Sequence, residues 1–335
     1  MIHTEQFQNY LQSDAFLSPL GLPVGTALEF SLLGQGEYNR NYRFHHPITG
    51  QDLVLRINTG SQMHLDDQIG YEFSALKNLE PSGRTPKALS CDPSMNCLVM
   101  EYLPGRPLQY ERDLSVAAEI FADIHALPIP EDCRLLEPEN PLVAIIDECR
   151  QMVSHYYSWE QADPQVVRLL ENLEKEISAK DLSAPQGIRK CIVNTEVNSG
   201  NFLINPKGRS YLIDWEKPLL SEPAQDLGHF LVPTTTFWKT DVILTPDEIQ
   251  HFVSRYRKAV ANRFETESLM DRLPLYFTVT CLRGVTWCAM AYREYSQPGR
   301  VIANPDTYRK LQAYLRPDFL ENLLNNYVRR DFLKG

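Results

Sequence analysis

The order in which strand and helix patterns follow one another constrains this chain more than any other feature. Three extended runs separated by short turns predict an antiparallel meander: residues 27–33, 39–44 and 52–58. A helical pattern over 66–79 and a buried strand over 97–103 come next, and the pair Pro104–Gly105 ends this part. The first part of the chain is therefore predicted to be mostly sheet with one helix.

After that boundary, apolar residues recur at helical spacing in three long segments: 113–127, 142–178 and 246–335. The middle segment, 142–178, is predicted to hold a long helical pair. Three short strand patterns interrupt the helices: 191–193, 202–204 and 211–213. Sheet and helix that are segregated in this way predict an α+β fold rather than a doubly wound one. Because 335 residues exceed one ordinary hydrophobic core, we predict an N-terminal lobe over 1–103 and a mainly helical C-terminal lobe over 104–335.

The chain is acidic, with a formal net charge of -10. An acidic surface repels phosphate backbones, which argues against nucleic acid as a partner. The charge suits a cationic small substrate, although it is equally typical of an ordinary cytosolic protein. The sequence has neither a signal-peptide pattern nor an apolar stretch near the roughly 18 residues of a membrane span, so no membrane partner is expected. Seven cysteines without a C-x-x-C pair favour reduced thiols and a cytoplasmic location.

Two features of the sheet region could serve a nucleotide. The glycines Gly34 and Gly36 would let backbone N–H groups approach a phosphate, although a plain hairpin turn also explains them. Arg56 in the third extended run could reach phosphates, with Glu72 on the following helix holding it in place. The alternatives are a solvent-facing arginine on an alternating strand and a solvated glutamate on a helix.

A polar loop and a strand end carry the other candidates. Asn201 and Asp214 offer amide and carboxylate oxygens, which suit Mg²⁺ because this ion completes its shell with phosphate and water. Glu196, five residues before Asn201, stands where an acceptor hydroxyl could lose its proton. A polar hairpin would explain each piece alone. The ordered series of loop glycines, strand cation, helix Glu, loop acid, Asn and strand-end Asp is much harder to obtain by chance.

This series resembles the aminoglycoside phosphotransferase and choline kinase-like family, whose members have a protein-kinase-like two-lobe fold. The resemblance covers residues 27–230 and rests on six segments: Gly36–Tyr42, Val54–Arg56, Val99–Gly105, Ile120–Leu127 with His125, Leu212–Glu216 and Asp226–Gly228. They are similar, in that order, to the family's glycine loop, strand cation, hinge, helix end before the catalytic segment, metal-binding strand end and later Asp-Leu-Ala.

The resemblance implies a kinase that uses ATP (or GTP) and Mg²⁺ to phosphorylate a hydroxyl of a small molecule. It implies nucleotide binding by these residues, the last two through their backbone: Gly34, Gly36, Asn39, Arg56, Glu72, Glu101 and Leu103. It also implies that Asn201 and Asp214 bind the metal and that Glu196 acts as the base, and these three form the implied catalytic set.

The implied catalytic loop departs from the family pattern. Where the family reads His-Gly-Asp, four residues and then Asn, this chain reads Asn194-Thr195-Glu196 and keeps Asn201. A Glu carboxylate reaches about 1.5 Å further than that of Asp. Such a displacement can cost on the order of a hundredfold in rate. The alternative hypothesis is therefore a nucleotide-binding pseudokinase that acts as a sensor or partner, and a third is an enzyme that transfers another part of the nucleotide.

The sequence leaves the acceptor and the oligomeric state open. Four aromatic residues could form a wall for a cationic acceptor: Trp238, Trp287, Tyr292 and Tyr295. Asp241 or Glu294 could pair with an amine of that acceptor. The aromatic spacing is also that of an ordinary core helix, which is the favoured interpretation.

Overall fold

The computed structural model describes residues 4–36, 38–61, 63–184, 187–297 and 305–330. Its strands, in chain order, are β1 (Phe30–Gln35), β2 (Asn39–His45), β3 (Asp52–Asn58), β4 (Ala88–Asp92), β5 (Cys97–Glu101), β6 (Cys191–Val193), β7 (Phe202–Leu203), β8 (Tyr211–Leu212) and β9 (Leu219–Ser221). Its helices are α1 (Glu5–Leu11), α2 (Asp14–Leu17), α3 (Gln68–Leu79), α4 (Tyr110–His125), α5 (Pro141–Tyr157), α6 (Pro164–Ser178), α7 (Pro223–Leu231), α8 (Pro233–Lys239), α9 (Pro246–Val260), α10 (Leu269–Tyr295), α11 (Pro305–Tyr314) and α12 (Pro317–Leu323).

The chain forms two compact units, and the predicted α+β class is confirmed. Unit 1 comprises Met1–Pro107, Leu127–Leu136 and Phe202–Pro218. Unit 2 comprises Leu108–Ala126, Glu137–Asn201 and Leu219–Gly335. The lobes predicted over 1–103 and 104–335 stay a prediction.

Unit 1 is built on a five-stranded antiparallel sheet with the strand order β1-β2-β3-β5-β4. The predicted meander is confirmed as β1 to β3, and the predicted strand 97–103 is β5. Strand β4 was missed because its short run, Ala88–Asp92, lies at the sheet edge and buries only Ala88 fully. Apolar residues from β2, β3 and β5 form the core with the helices before them, for example Phe16 packed near Phe44.

The glycine-rich stretch is a correction to the predicted strand and turn. Strand β1 begins at Phe30 and continues to Gln35, so Gly34 is a strand residue paired with Asn41. The register shifts between Leu32 and Gly34, which is a β-bulge. A bulge interrupts the alternation of side chains and readily accepts a glycine, so the sequence pattern read it as a turn.

Unit 2 is mainly helical, as predicted. Its longest helix, α10, packs against α5 and α7, while α4 packs against α9. The long helical pair predicted over 142–178 is confirmed as α5 and α6, which Asn140 and Asp163 cap through their side chains. No helix among the described residues is long and apolar enough to cross a membrane.

The short strands divide between the units. Strands β7 and β8 lie within the predicted strand patterns 202–204 and 211–213, and they pair with each other in unit 1. Strand β6 pairs in unit 2 with β9, which the sequence did not predict. The polar loop that carries Glu196 and Asn201 joins β6 to β7, with Asn201 directly before β7, and Asp214 follows β8.

Candidate active site

A buried cation organises the candidate residues of unit 1. The Nη1 atom of Arg56 on β3 donates to Glu72 Oε1 at 2.5 Å and to Asp214 Oδ1 at 3.0 Å. Its Nε atom donates to Asn41 Oδ1 at 3.0 Å. The side chains of Arg56 and Glu72 are only 7% and 2% exposed. The alternatives of a solvent-facing arginine and a solvated glutamate are therefore wrong, and the predicted pairing is present.

The charges of this cluster shift one another's protonation. Burial alone lowers the pKa of Arg56, but the carboxylates of Glu72 and Asp214 outweigh it and leave the pKa raised. Burial raises the pKa of Glu72, and the charge of Arg56 opposes that shift. The guanidinium is thus fixed as a cation in a site that two carboxylates share.

Asp214 stands in a tight turn after β8. Its φ of 65° is in the left-handed region, which non-glycine residues rarely occupy. The buried Trp215 fixes this turn because its Nε1 donates to Leu212 O at 3.0 Å. The Asp214 side chain is 31% exposed, so its carboxylate meets both Arg56 and solvent.

Asn39 is a buried anchor of the loop between β1 and β2. Its Nδ2 donates to Glu216 Oε2, and its Oδ1 accepts from Asn58 Nδ2 at 3.0 Å. Its carbonyl accepts from the N–H of Gly36 at 2.8 Å. Gln68 holds the same region by donating to the Glu216 carbonyl at 2.6 Å. Sequence reasoning missed Glu216, Asn58 and Gln68, because the contacts join distant parts of the chain.

Neither candidate glycine is required by its φ or by close packing. Neither Gly34 nor Gly36 has a positive φ. A Cβ atom at Gly34 would meet nothing within 4 Å, and at Gly36 only the Asn39 carbonyl at 3.8 Å. Space above this backbone is therefore open. Glu37, which belongs to the motif, lies outside the described residues.

The backbone N–H groups at the end of β5 already donate within unit 1. The N–H of Glu101 donates to Lys87 O at 2.9 Å, and that of Tyr102 to Asp52 O at 3.2 Å. Leu103, the next residue, is buried. Glu101 is the last residue of β5, and nucleotide binding by the backbone of Glu101 and Leu103 stays a prediction.

The polar loop of unit 2 is shaped by its own amides. The N–H of Glu196 donates to Asn194 Oδ1 at 3.1 Å, and Asn201 Nδ2 donates to Glu196 O at 2.9 Å. Thr195 adopts a φ of 67° between them. The bond from Asn201 Nδ2 fixes that side chain and leaves its Oδ1 as the oxygen available to a metal.

An arginine on α10 lies in the electrostatic range of Glu196. Arg283 pairs with Glu148 on α5 through two bonds, Nε to Oε2 at 2.8 Å and Nη2 to Oε1 at 3.1 Å. Burial lowers the pKa of Arg283, but Glu148 and then Glu196 outweigh it and leave the pKa raised. Sequence reasoning missed Arg283, because the loop and the helix are far apart in the chain.

Asp226, in the first turn of α7, holds the loop through hydrogen bonds to its backbone. This fully buried carboxylate accepts the N–H of Asn194 at 2.8 Å and that of Thr195 at 2.9 Å. His125 Nε2 lies 3.4 Å from it, and His125 Nδ1 lies 2.9 Å from Tyr256 OH. The two motif residues His125 and Asp226 therefore brace the backbone on which Glu196 stands.

Replacing Asp226 with Asn is expected to destabilise unit 2 and displace this loop. The amide nitrogen cannot accept a hydrogen bond, so one of the two loop N–H groups loses its buried partner, at a cost of about 1–3 kcal/mol. Urea unfolding of Asp226→Asn, with exposed Asp132→Asn as the control, measures the loss. Equal stability of the two variants would show that Asp226 does not support the loop.

The predicted site residues are brought together within each unit. Arg56, Glu72 and Asp214 meet in unit 1, and Glu196 and Asn201 meet in unit 2. Among the described residues, no group of three or more His, Cys, Asp and Glu side chains is arranged to hold a metal ion. Metal binding by Asn201 and Asp214 stays a prediction.

The aromatic residues proposed to face an acceptor fall into two half-buried groups. Trp238 and Trp287 meet edge to face with ring centroids 5.2 Å apart. Tyr292 and Tyr295 both stack on Tyr308, at 5.7 Å and 6.3 Å. They therefore pack as part of the helical unit, and an acceptor wall stays a prediction.

Of the two acids proposed for an amine, Asp241 already has a cation. Its Oδ1 accepts from Lys310 Nζ at 2.8 Å, although the Asp241 side chain is 93% exposed. The Lys310 charge lowers the pKa of Asp241. Glu294 is exposed on α10. Neither observation assigns an acceptor.

Comparison with known proteins adds a family and a fold. Residues 29–265 match the phosphotransferase enzyme family (APH). This range includes every candidate residue named above from Gly34 to Asp226.

Solved structures similar to this chain are small-molecule kinases. An ethanolamine kinase from Plasmodium vivax is 15% identical, with 95% of this chain and 91% of that chain covered and a TM-score of 0.63. A choline kinase, LicA, from Streptococcus pneumoniae is 18% identical, covering 87% and 93% at a TM-score of 0.56. The ternary complex of streptomycin, ATP and APH(2″)-IIa is 13% identical, covering 96% and 99% at a TM-score of 0.58. At these identities the likeness shows the fold, and it confirms the predicted protein-kinase-like architecture.

Proposed function

The chain belongs to the phosphotransferase enzyme family, and we propose that it transfers the γ-phosphate of ATP to a hydroxyl group of a small molecule. The observation that carries this proposal is the buried Arg56, held by Glu72 and Asp214 as a permanent cation. Burying a charge in this way is costly, and its usual purpose at a functional site is to bind an opposite charge.

Nucleotide phosphates fit the groups around Arg56. In the proposed complex, the open backbone at Gly34 and Gly36 approaches the phosphates, and Arg56 clamps their oxygens. The glycines support this assignment because neither φ nor packing explains them. Backbone groups of Glu101 and Leu103 are proposed to bind the adenine edge. GTP would bind the same phosphate groups, so the base is left to experiment.

Asn201 and Asp214 are the proposed ligands of Mg²⁺. The Oδ1 of Asn201 is available because its Nδ2 is bonded to the backbone, and the Asp214 carboxylate is partly exposed. Mg²⁺ held by such ligands supplies charge neutralisation for the transferred phosphoryl group. With the metal bound, the Asp214 carboxylate would either leave Arg56 or contact both Arg56 and the metal.

Glu196 is the proposed base. Its backbone is fixed on both sides, by Asn194 and by Asn201, so its carboxylate is presented from a defined position. In the proposed reaction it orients an acceptor hydroxyl and takes its proton.

The second candidate function is a pseudokinase that binds the nucleotide without turnover. The observation that favours it is the Asn194-Thr195-Glu196 sequence in place of the family's His-Gly-Asp. ADP formation in the presence of hydroxyl acceptors separates the two functions.

We propose a small, cationic acceptor, since the chain carries a net charge of -10. We also propose a cytoplasmic location.

Mg·ATP should raise the melting temperature, because a ligand bound only to the folded state stabilises it. Asp214→Ala is expected to abolish the part of this shift that depends on Mg²⁺. Differential scanning fluorimetry with ATP or GTP, with and without Mg²⁺, measures it, and exposed Asp132→Ala serves as the control. A shift that is unchanged in Asp214→Ala would place the metal elsewhere.

A further inference from the structure

We propose that Asn41 is a positioning residue that keeps the Arg56 guanidinium from a two-bond pairing with Glu72 and so leaves its Nη2 atom for phosphate oxygens. This inference rests on the proposed function for the identity of the ligand. It concerns a residue that the family resemblance does not mark, since the motif asparagine of this loop is Asn39.

The hydrogen bonds of Arg56 leave one nitrogen unused. Nε donates to Asn41, and Nη1 donates to both Glu72 and Asp214. Among the described residues, none accepts a hydrogen bond from Nη2 of Arg56. A guanidinium carries five N–H groups in a rigid plane, so fixing Nε and Nη1 also fixes the direction of Nη2.

Two other arginine–glutamate pairs in this chain show the two-bond pairing that Asn41 is proposed to prevent at Arg56. Arg272 donates from Nε and Nη2 to both oxygens of Glu222, at 2.9 Å and 2.6 Å. Arg283 makes the same fork to Glu148. Both forks use Nε, the atom that Asn41 holds in Arg56. The fork is the stronger pairing, so its absence at Arg56 needs a cause.

Pairing through a single bond is unfavourable for the carboxylate of Glu72. Its Oε2 atom is buried and has no hydrogen-bond partner. An unpaired buried carboxylate oxygen is unfavourable. A guanidinium released from Asn41 can satisfy Oε2 by rotating its Nε side toward Glu72, and that rotation withdraws Nη2 from its present direction. Asn41 thus opposes a pairing that would favour stability over ligand binding.

The register of two sheet strands places Asn41 beside Arg56. Strands β2 and β3 are antiparallel, and Asn41 stands directly opposite Arg56 in their register. Directly opposed residues project on the same face, so the amide and the guanidinium meet without any loop between them. A lysine at position 56 would have no Nε–H for the amide to hold, so the role of Asn41 depends on arginine there.

The test combines Asn41→Ala with Arg56→Lys in a double-mutant cycle read by Mg·ATP affinity. In the parent background, Asn41→Ala is expected to weaken affinity about tenfold, the worth of one charge-assisted hydrogen bond, with unchanged or higher stability. In the Arg56→Lys background the same change should alter affinity by less than about twofold. Asn78→Ala, which removes a half-buried amide of α3 in the same unit, is the control.

A crystal structure of Asn41→Ala gives a readout that needs no nucleotide. We expect Arg56 Nε within hydrogen-bond distance of Glu72 Oε2. A guanidinium that keeps its single bond would overturn the inference, as would equal losses of affinity in both backgrounds of the cycle. If the parent binds no Mg·ATP, the proposed function fails, whereas the pairing in this structure still decides the role of Asn41.

Discussion

Glu196→Gln is expected to lower the rate of phosphoryl transfer by about 10²–10⁴-fold, the usual worth of a general base. The amide has nearly the shape of the carboxylate but cannot accept the proton of the acceptor hydroxyl. Mg·ATP affinity should stay close to that of the parent, because the proposed metal ligands are Asn201 and Asp214. Turnover is measured as ADP formation across a panel of hydroxyl acceptors, and exposed Glu160→Gln is the matched control.

Glu196→Asp separates an enzyme fitted to Glu from a decayed one. If the rest of the site is adapted to the longer side chain, shortening it should also reduce turnover. If the parent is a pseudokinase, it should form no ADP with any acceptor, and Glu196→Asp could restore some activity. Equal turnover of the parent and Glu196→Gln would show that Glu196 is not the base.

Arg56→Met is expected to lower the free energy of unfolding by about 3–5 kcal/mol, because it leaves the Glu72 carboxylate buried without its partner. Methionine keeps an unbranched apolar stem, so lost packing contributes little. Urea unfolding measures the change. Exposed Arg168→Met on α6 should stay within about 0.5 kcal/mol of the parent.

The double variant Arg56→Met/Glu72→Leu distinguishes the buried charge from other causes. Removing both members of a buried ion pair is often neutral, so the double variant should recover most of the stability that Arg56→Met loses. Nucleotide binding should stay lost in both variants, since neither carries the cation. A double variant as unstable as the single one would mean that Arg56 supports the sheet by packing alone.

Local pattern was sufficient for most of the fold. The alternation in Asp52–Asn58 placed β3, and the apolar spacing after Pro104–Gly105 placed the helical part of the chain. It failed where pairing depends on distant residues. Strand β9 has only the three residues Leu219–Ser221, and its ladder to β6 cannot be read from so short a run.

The site was predictable only as far as residue types have fixed roles. A strand arginine and a helix glutamate suggested a pair, and the buried salt bridge between Arg56 and Glu72 is present. The division of labour between Asn39 and Asn41 was not predictable. Both are amides two residues apart, and the cross-strand register together with the distant Glu216 decides which one meets the arginine. Such information is absent from a single stretch of sequence.

Thr195 occupies a backbone conformation that its own side chain disfavours. A β-branched residue at a φ of 67° is strained by of order 1–3 kcal/mol, and glycine, which the family has there, is not. Two N–H bonds to Asp226 hold the backbone in that conformation regardless. A comparison of residue types alone would therefore classify this loop as degenerate. The backbone nevertheless follows a defined path to Glu196, and the chain accepts strain at Thr195 to present that next side chain from a fixed position.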